Sequence, residues 1–338
     1  MKSILTNTIN KMNTYEYTRY ACTADTLKTT LEKFGVAIIP NVLTSEECDS
    51  MVSGIWDYFE HITQNWEKSI NRNDKKTWRG IYELFPMHSM LLQHFSIGQS
   101  QVVWDIRQSE KVIAPFEKLW DRPKEELLVS FDGLSFAMPP EDTNRGWFRN
   151  HTWYHSDQSF TRNDFECAQA WVTGLDVEAG DATLAFYEGS HKFHKEFSQE
   201  FRIADRKDAK KDWCKLQKDE ELFFINKGCE ERKIACPKGS MVFWDSRTIH
   251  CGTEAMRGRE NPKHRAVVYV CYRPREFATP AKLRKKQKAF ENMRMTSHWP
   301  CKATLFPKNP RTYGKKIPEI VPIEPPQLTE VGKKLAGF

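Results

Sequence analysis

The hydrophobic pattern changes texture near Leu127, and that switch restricts the fold more than any other feature. Before it, apolar residues recur at spacings of three and four. Cys48, Met51, Val52, Ile55, Trp56, Phe59 and Ile62 form such a stripe behind Thr44-Ser-Glu-Glu47. A threonine followed three residues later by glutamate is a capping box, so a helix is expected from there to about Thr63. Thr23–Phe34 reads as a shorter helix stopped by Gly35, and Val36–Pro40 as a buried strand. Ile81–Phe95 and Ser100–Leu119 also carry helical spacing, whereas residues 64–80 are polar and charged and read as an exposed loop or lid. After Leu127 the candidates are short and rich in strand formers: Leu127–Met138, Ala168–Val177, Thr183–Tyr187, Met241–Trp244 and Arg265–Tyr272. Gly, Pro and Asp/Asn turns separate them. A helical layer followed by many short strands predicts a mostly β fold with flanking helices (α+β), a sandwich or barrel buttressed from one side.

With 338 residues, 39% hydrophobic and 28% charged, the chain is globular and excludes a disordered or low-complexity protein. The length suits two average domains or one elaborated β domain. We divide it into an N-terminal extension (1–22), a main domain (23–278, with its β core at about 127–275) and a C-terminal extension (279–338). No apolar run approaches the ~20 residues that span a bilayer. The nine cysteines are odd in number and include no CxxC, and Met1–Thr23 lacks the apolar stretch of a secretory signal. Reduced thiols in a cytoplasmic protein are expected. Cys229 and Cys236 with His250 or His264 are a conceivable metal set, but their spacing is looser than that of zinc pairs.

The net charge of +6 is local. Residues 281–318 hold eleven Lys/Arg against one acid, Glu291, so this stretch carries +10 and the remainder −4. Thr279-Pro280 supplies an N-cap and first-turn proline for a helix running to about Met295, followed by a Pro-rich extended tail from Ser297. Leu283, Phe290 and Met293 form a narrow apolar stripe, with Lys282, Lys285, Lys286 and Lys288 spread round the water-facing arc.

Two segments can carry chemistry: Trp153-Tyr-His155-Ser-Asp157-Gln158, and Gly239 to His250 with Arg265 beyond it. On an extended chain, His155 and Asp157 share a face. With one distant histidine they make two imidazoles and a carboxylate, the set that holds Fe(II) and leaves adjacent positions open. Alone, HxD is as easily a hydrogen-bonded surface pair, and His250 a satisfied strand-end histidine. Order raises the signal: HxD, then strands, then a histidine after a glycine turn, then a basic residue opening a strand.

The chain resembles the phytanoyl-CoA dioxygenase family of Fe(II)/2-oxoglutarate oxygenases. The matching stretches are Phe34-Gly-Val-Ala-Ile-Ile-Pro40, His155-Ser-Asp157, Gln169-Ala-Trp171, Ala179-Gly-Asp-Ala-Thr-Leu184, Glu188-Gly-Ser-His191-Lys192, Gly239–His250 and Arg265. They run in order from about residue 30 to 275. Glu188 stands where the family turn has proline. The resemblance implies a double-stranded β-helix (a cupin-like jelly roll), His155, Asp157 and His250 as iron ligands, and Arg265 as the partner of the distal carboxylate of 2-oxoglutarate. A guanidinium suits that task because it grips a carboxylate with two parallel bonds. Arg257 and Arg259 are rivals, but Arg265 opens a strand. Gln169 matches a polar position facing the co-substrate pocket, and Thr253, just past His250, is a candidate for the other carboxylate. His191 reads as a buried turn histidine, and His264 as solvent-facing. The intact Asp157 argues against the halogenating relatives, where a small residue replaces it.

The expected activity is hydroxylation of a small organic or acyl-type molecule by Fe(II), 2-oxoglutarate and O2, with ascorbate as reductant and release of succinate and CO2. A 2-oxoglutarate oxygenase acting on nucleic acid or protein through the basic segment is the alternative. The segment lacks the stacked aromatics of single-strand binders, which argues against nucleic acid. A non-catalytic jelly-roll binding protein is the third reading. No membrane partner is expected, and the sequence is silent on substrate identity and oligomeric state.

Overall fold

A computed structural model describes residues 15–86, 91–308, 310–314 and 316–338. Most of the N-terminal extension (1–14) and part of the expected helix Ile81–Phe95 (87–90) lie outside the described residues. The architecture is mixed α+β. A five-stranded sheet runs Val36–Ile39, Met241–Asp245, Ala168–Thr173, Arg265–Val270, Leu134–Ala137. A six-stranded sheet runs Tyr15–Glu16, Glu231–Ile234, Thr183–Tyr187, His250–Thr253, His155–Ser156, Cys214–Lys215. Val36, Ile38, Trp171, Val242, Trp244 and Val267 of the first share one hydrophobic cluster with Leu184, Phe186 and Ile234 of the second. Alternation along these strands thus aims one face of each sheet at the other.

Helices cover the other face of the five-stranded sheet. The helix Ser45–Ile62 starts at the capping box, where Thr44 N–H donates to Glu47 Oε2 (2.7 Å) and Glu47 N–H to Thr44 Oγ1 (3.3 Å). It buries Cys48, Met51, Ile55, Trp56, Phe59 and Ile62 as its spacing predicts, and Tyr58 as well. Fully burying such side chains stabilises by about 1.5–3 kcal/mol each. Phe59 stacks on Phe136 of the sheet at 5.3 Å.

Three sequence expectations change. The single helix at 100–119 is two, Gln101–Arg107 and Glu110–Trp120. The Ser109 carbonyl accepts from both Val112 and Ile113 (3.0 Å each), which starts a new helix there. Among the described residues the expected helix at 81–95 is reduced to Arg79–Glu83; Pro86 bridges to Thr312 and Leu92 exchanges backbone bonds with Leu134. The strand Leu127–Met138 breaks at Ser130–Gly133. A Cβ on Gly133 would lie 1.7 Å from the Leu92 carbonyl oxygen, so only glycine allows this crossing. Residues 64–80 are a largely exposed, mostly irregular segment, as read, held down where Trp66 and Ile70 are buried and Arg72 is pinned by Asp57 and Glu60.

In the C-terminal region the helix Pro280–Glu291 begins as read, with Thr279 Oγ1 accepting from Lys282 N–H. Its packing differs from the stripe. Lys286 is buried, not solvated. Its ammonium lies 3.8 Å from the centre of the Phe131 ring and donates to the Val129 carbonyl. Among the described residues no helix is long and apolar enough to cross a membrane.

Candidate metal centre

His155 and His250 sit directly opposite each other on neighbouring antiparallel strands. That register brings their rings to 4.4 Å between centres. Asp157 follows the short strand His155–Ser156, and its N–H donates to the Ser246 carbonyl (2.9 Å). Its carboxylate then meets both imidazoles: Oδ1 is 3.5 Å from His155 Nε2, and Oδ2 is 3.4 Å from His250 Nε2. Candidate ligand atoms of the three all lie within 4.8 Å of one another, and all three residues are buried. No comparable set containing Cys229 or Cys236 occurs among the described residues.

Backbone carbonyls fix the tautomers. His155 Nδ1 bonds the Trp153 carbonyl (3.1 Å), and His250 Nδ1 bonds the Thr248 carbonyl (2.9 Å). A carbonyl only accepts, so each Nδ1 carries the proton and each Nε2 lone pair is aimed at the common centre. Burial, then the neighbouring His250, pushes His155 down to about 3. For Asp157, burial favours the neutral acid, but interactions with His298, His155 and His250 outweigh it and hold the carboxyl well below the usual range. Neutral imidazoles and an ionised carboxylate are the ligating forms.

The turn before His250 depends on Gly35. Its φ is +80°, and a Cβ there would lie 2.5 Å from Thr248 Oγ1 and 2.6 Å from His191 Nδ1. Its carbonyl accepts from Thr248 Oγ1 (2.9 Å) and Asp245 N–H (3.0 Å), which sets the path into His250. His191 is a buried turn residue bonded to the Glu32 carbonyl. Glu188, in place of the family's proline, is ion-paired to Arg19 and accepts from the Tyr20 hydroxyl. The acid thereby ties the N-terminal segment to this turn.

Gln169 is brought to the group through Asp157. Its Nε2 donates to Asp157 Oδ2 (2.8 Å) and Ser246 Oγ (3.2 Å), so it supports the carboxylate. Arg265 opens the strand Arg265–Val270, donates Nη1–H to the Ala182 carbonyl (2.7 Å) and lies 5.3 Å above the Trp171 ring. Its rivals are committed elsewhere: Arg259 to Glu141 and Asp181, Arg257 over Trp147. Thr253 is not brought to the group. Strand alternation turns it to the side opposite His250, where its hydroxyl donates to the Thr183 carbonyl (3.2 Å). His264 is not solvent-facing either; it packs against Phe136 and Trp56, and burial lowers it to about 4. Trp153 stacks flat on His155 at 4.7 Å and donates to the Gly252 carbonyl.

Two neighbours escaped the sequence reading. Trp213 lies 5.7 Å from the His155 ring, and His298 acts electrostatically on Asp157. The only hint of Trp213 was an isolated indole within a charged segment; for His298, in the tail, there was none.

The phytanoyl-CoA dioxygenase (PhyH) profile matches residues 31–259. The chain belongs to this family of Fe(II)/2-oxoglutarate-dependent oxygenases. The match contains His155, Asp157, Gln169 and His250 and stops short of Arg265. Among curated relatives, Ava biosynthesis cluster protein O of Aspergillus versicolor is 27% identical over 271 residues, 79% of this chain and 83% of that protein. Among solved structures, the hypothetical protein JW0805 of Escherichia coli shares the fold, with a TM-score of 0.55 at 14% identity over 94% of this chain and 82% of that one. The epimerase SnoN, solved with Fe3+, alpha ketoglutarate and nogalamycin RO, matches more loosely (TM-score 0.44, 14% identity, 74% of this chain and 83% of that one).

Proposed function

We propose that this family member is a dioxygenase that hydroxylates a small organic molecule, with one Fe(II) held by His155, Asp157 and His250. The observation that carries this is the convergence of two tautomer-fixed Nε2 atoms and one carboxylate on a common buried centre. Two neutral imidazoles and one carboxylate suit Fe(II) and leave part of its coordination sphere for other ligands. When bound, the metal supplies O2 activation coupled to conversion of 2-oxoglutarate to succinate and CO2.

The chain's own residues do the rest. Gln169 holds Asp157 in orientation, and the Trp153 and Thr248 carbonyls hold the two rings. Arg265, anchored by one bond to the Ala182 carbonyl, takes the distal carboxylate of 2-oxoglutarate, with Trp171 flanking the guanidinium. Burial of all three ligands keeps bulk water from the reacting centre. The two facing sheets form the double-stranded β-helix that presents these strands, and the region after Thr279 packs on it as a C-terminal extension.

The test is turnover of 2-oxoglutarate with Fe(II), O2 and ascorbate against a metabolite extract. Substrate-stimulated succinate release with products heavier by one oxygen is the expected result. Absence of any 2-oxoglutarate consumption by iron-loaded protein would count against the reading.

A further inference from the structure

An indole stands half in solvent beside the triad, and nothing in the packing explains its exposure. Trp213 is 49% exposed, yet its ring centre is 5.7 Å from that of His155, at 40° between planes. Among the described residues it is the exposed aromatic side chain in ring contact with a triad member. A lone exposed apolar residue is ordinary on a protein surface, but one held at the rim of a buried polar centre is not.

The backbone on both sides of Trp213 is fixed. Behind it, Cys214 and Lys215 pair with Ser156 and His155, and Leu216 N–H donates to the Tyr154 carbonyl (2.9 Å). Ahead of it, the Asp212 carboxylate is shared by Arg162 and by Lys302 of the C-terminal region, the latter at 2.6 Å. The indole therefore projects from an anchored stretch of backbone, not from a loose loop. The segment that carries it is charge-balanced. Residues 205–221 contain six basic and six acidic side chains, and Asp212 lies between Arg162 and Lys302. A segment without net charge gives no strong pull on a polyanionic ligand and suits a neutral one.

We propose that Trp213 is the substrate platform: a neutral, flat, unsaturated ring system stacks on this indole and is thereby held against the centre formed by His155, Asp157 and His250. This deepens the oxygenase reading and rests on it for the role of that centre. Offset stacking of two π-systems favours a flat partner over a puckered one of equal carbon count. Trp213 thus selects for ring planarity, whereas Arg265 and Gln169 act on co-substrate and ligand.

The experiment uses the full chain loaded with Mn(II) and 2-oxoglutarate, with 2-naphthol and its saturated analogue decahydro-2-naphthol as probes. Binding is followed by calorimetry, and proximity by the paramagnetic relaxation of probe protons. Wild type should bind 2-naphthol about tenfold more tightly than the saturated analogue, roughly 1.4 kcal/mol. Trp213→Ala should abolish that preference, Trp213→Phe should retain most of it, and Mn(II) affinity should be unchanged in both. No binding of 2-naphthol to wild type, equal binding of the two probes, or full preference in Trp213→Ala would each overturn the proposal. So would a Trp213→Ala variant that loses Mn(II) affinity while keeping 2-naphthol, since the indole would then only brace His155. Trp213-dependent binding to protein that takes up no Mn(II) would support the platform while refuting the metal reading.

Discussion

Gln169→Leu removes one donor from the triad and little volume. Gln169 Nε2 is 2.8 Å from Asp157 Oδ2 and 3.2 Å from Ser246 Oγ. A hydrogen bond to an ionised group contributes about 1.5–3 kcal/mol. That energy does not pass whole into metal affinity, because the bond exists with and without the metal. What does pass is the cost of fixing a freed carboxylate. In the wild type Oδ1 and Oδ2 already face one imidazole each; in the variant the group turns and must be re-oriented on binding. Loss of such supporting contacts costs about 10–100-fold in metal affinity, and the shared bond argues for the lower end, near tenfold. Calorimetric titration with Mn(II) measures this directly. Ser246→Ala, which removes the longer, neutral contact, serves as the control and should change affinity less. Gln169→Leu protein that is folded by urea titration yet binds Mn(II) within about threefold of wild type, under 1 kcal/mol, would refute the reasoning.

Arg265→Ala should raise the 2-oxoglutarate requirement by more than about tenfold, because an unpaired buried carboxylate costs roughly 2–5 kcal/mol. Arg259→Ala should leave it unchanged, since Arg259 already serves Glu141 and Asp181; the opposite pattern in steady-state kinetics would reverse the assignment. Burial lowers the Lys286 amine to about 7, against an ordinary value near 10.4. Between those values the unfolded chain binds a proton the native one releases, so this residue makes stability rise with pH across that window. Lys286→Met should therefore be more stable than wild type at about pH 7, by up to a few kcal/mol, with the advantage shrinking toward pH 9.5. Urea denaturation at the two pH values checks it, and a difference that does not shrink contradicts it. Lys286 is buried and Lys302 is paired with Asp212, so the basic segment offers fewer free cations than its sequence suggests. Nucleic-acid binding by the full chain should stay in the non-specific range of about 10⁻⁴–10⁻⁶ M at physiological salt, measured by fluorescence anisotropy.

Local chemistry was legible where it is written in adjacent residues. The capping box at Thr44 and the helix start at Thr279-Pro280 are set by contacts three residues apart, and both occur as read. The HxD pair could be read because two residues on an extended segment share a face. Its junction with His250 could be expected from the order of the segments and the family resemblance, although what makes it is a cross-strand register between positions 95 residues apart. What escaped depends on tertiary approach. Leu92 pairing with Leu134 cut short a helix whose spacing looked sound. Lys286 counted as a solvated charge until Phe131 and Val129 enclosed it. Thr253 lies on the wrong side of its strand for a task suggested only by its nearness to His250 in sequence. Trp213 reaches His155 through the pairing of Cys214–Lys215 with His155–Ser156, a two-residue ladder too short to show in a hydrophobic pattern.

The central claim is that three side chains hold one metal ion, and an anaerobic Fe(II) titration tests it most directly. Wild-type protein, His155→Ala, Asp157→Ala and His250→Ala would be titrated at equal concentration and the bound iron counted after gel filtration. The account predicts one equivalent in the wild type and a loss of tight binding in each variant, with the fold retained by circular dichroism. One equivalent of tightly bound iron in all four proteins would contradict it.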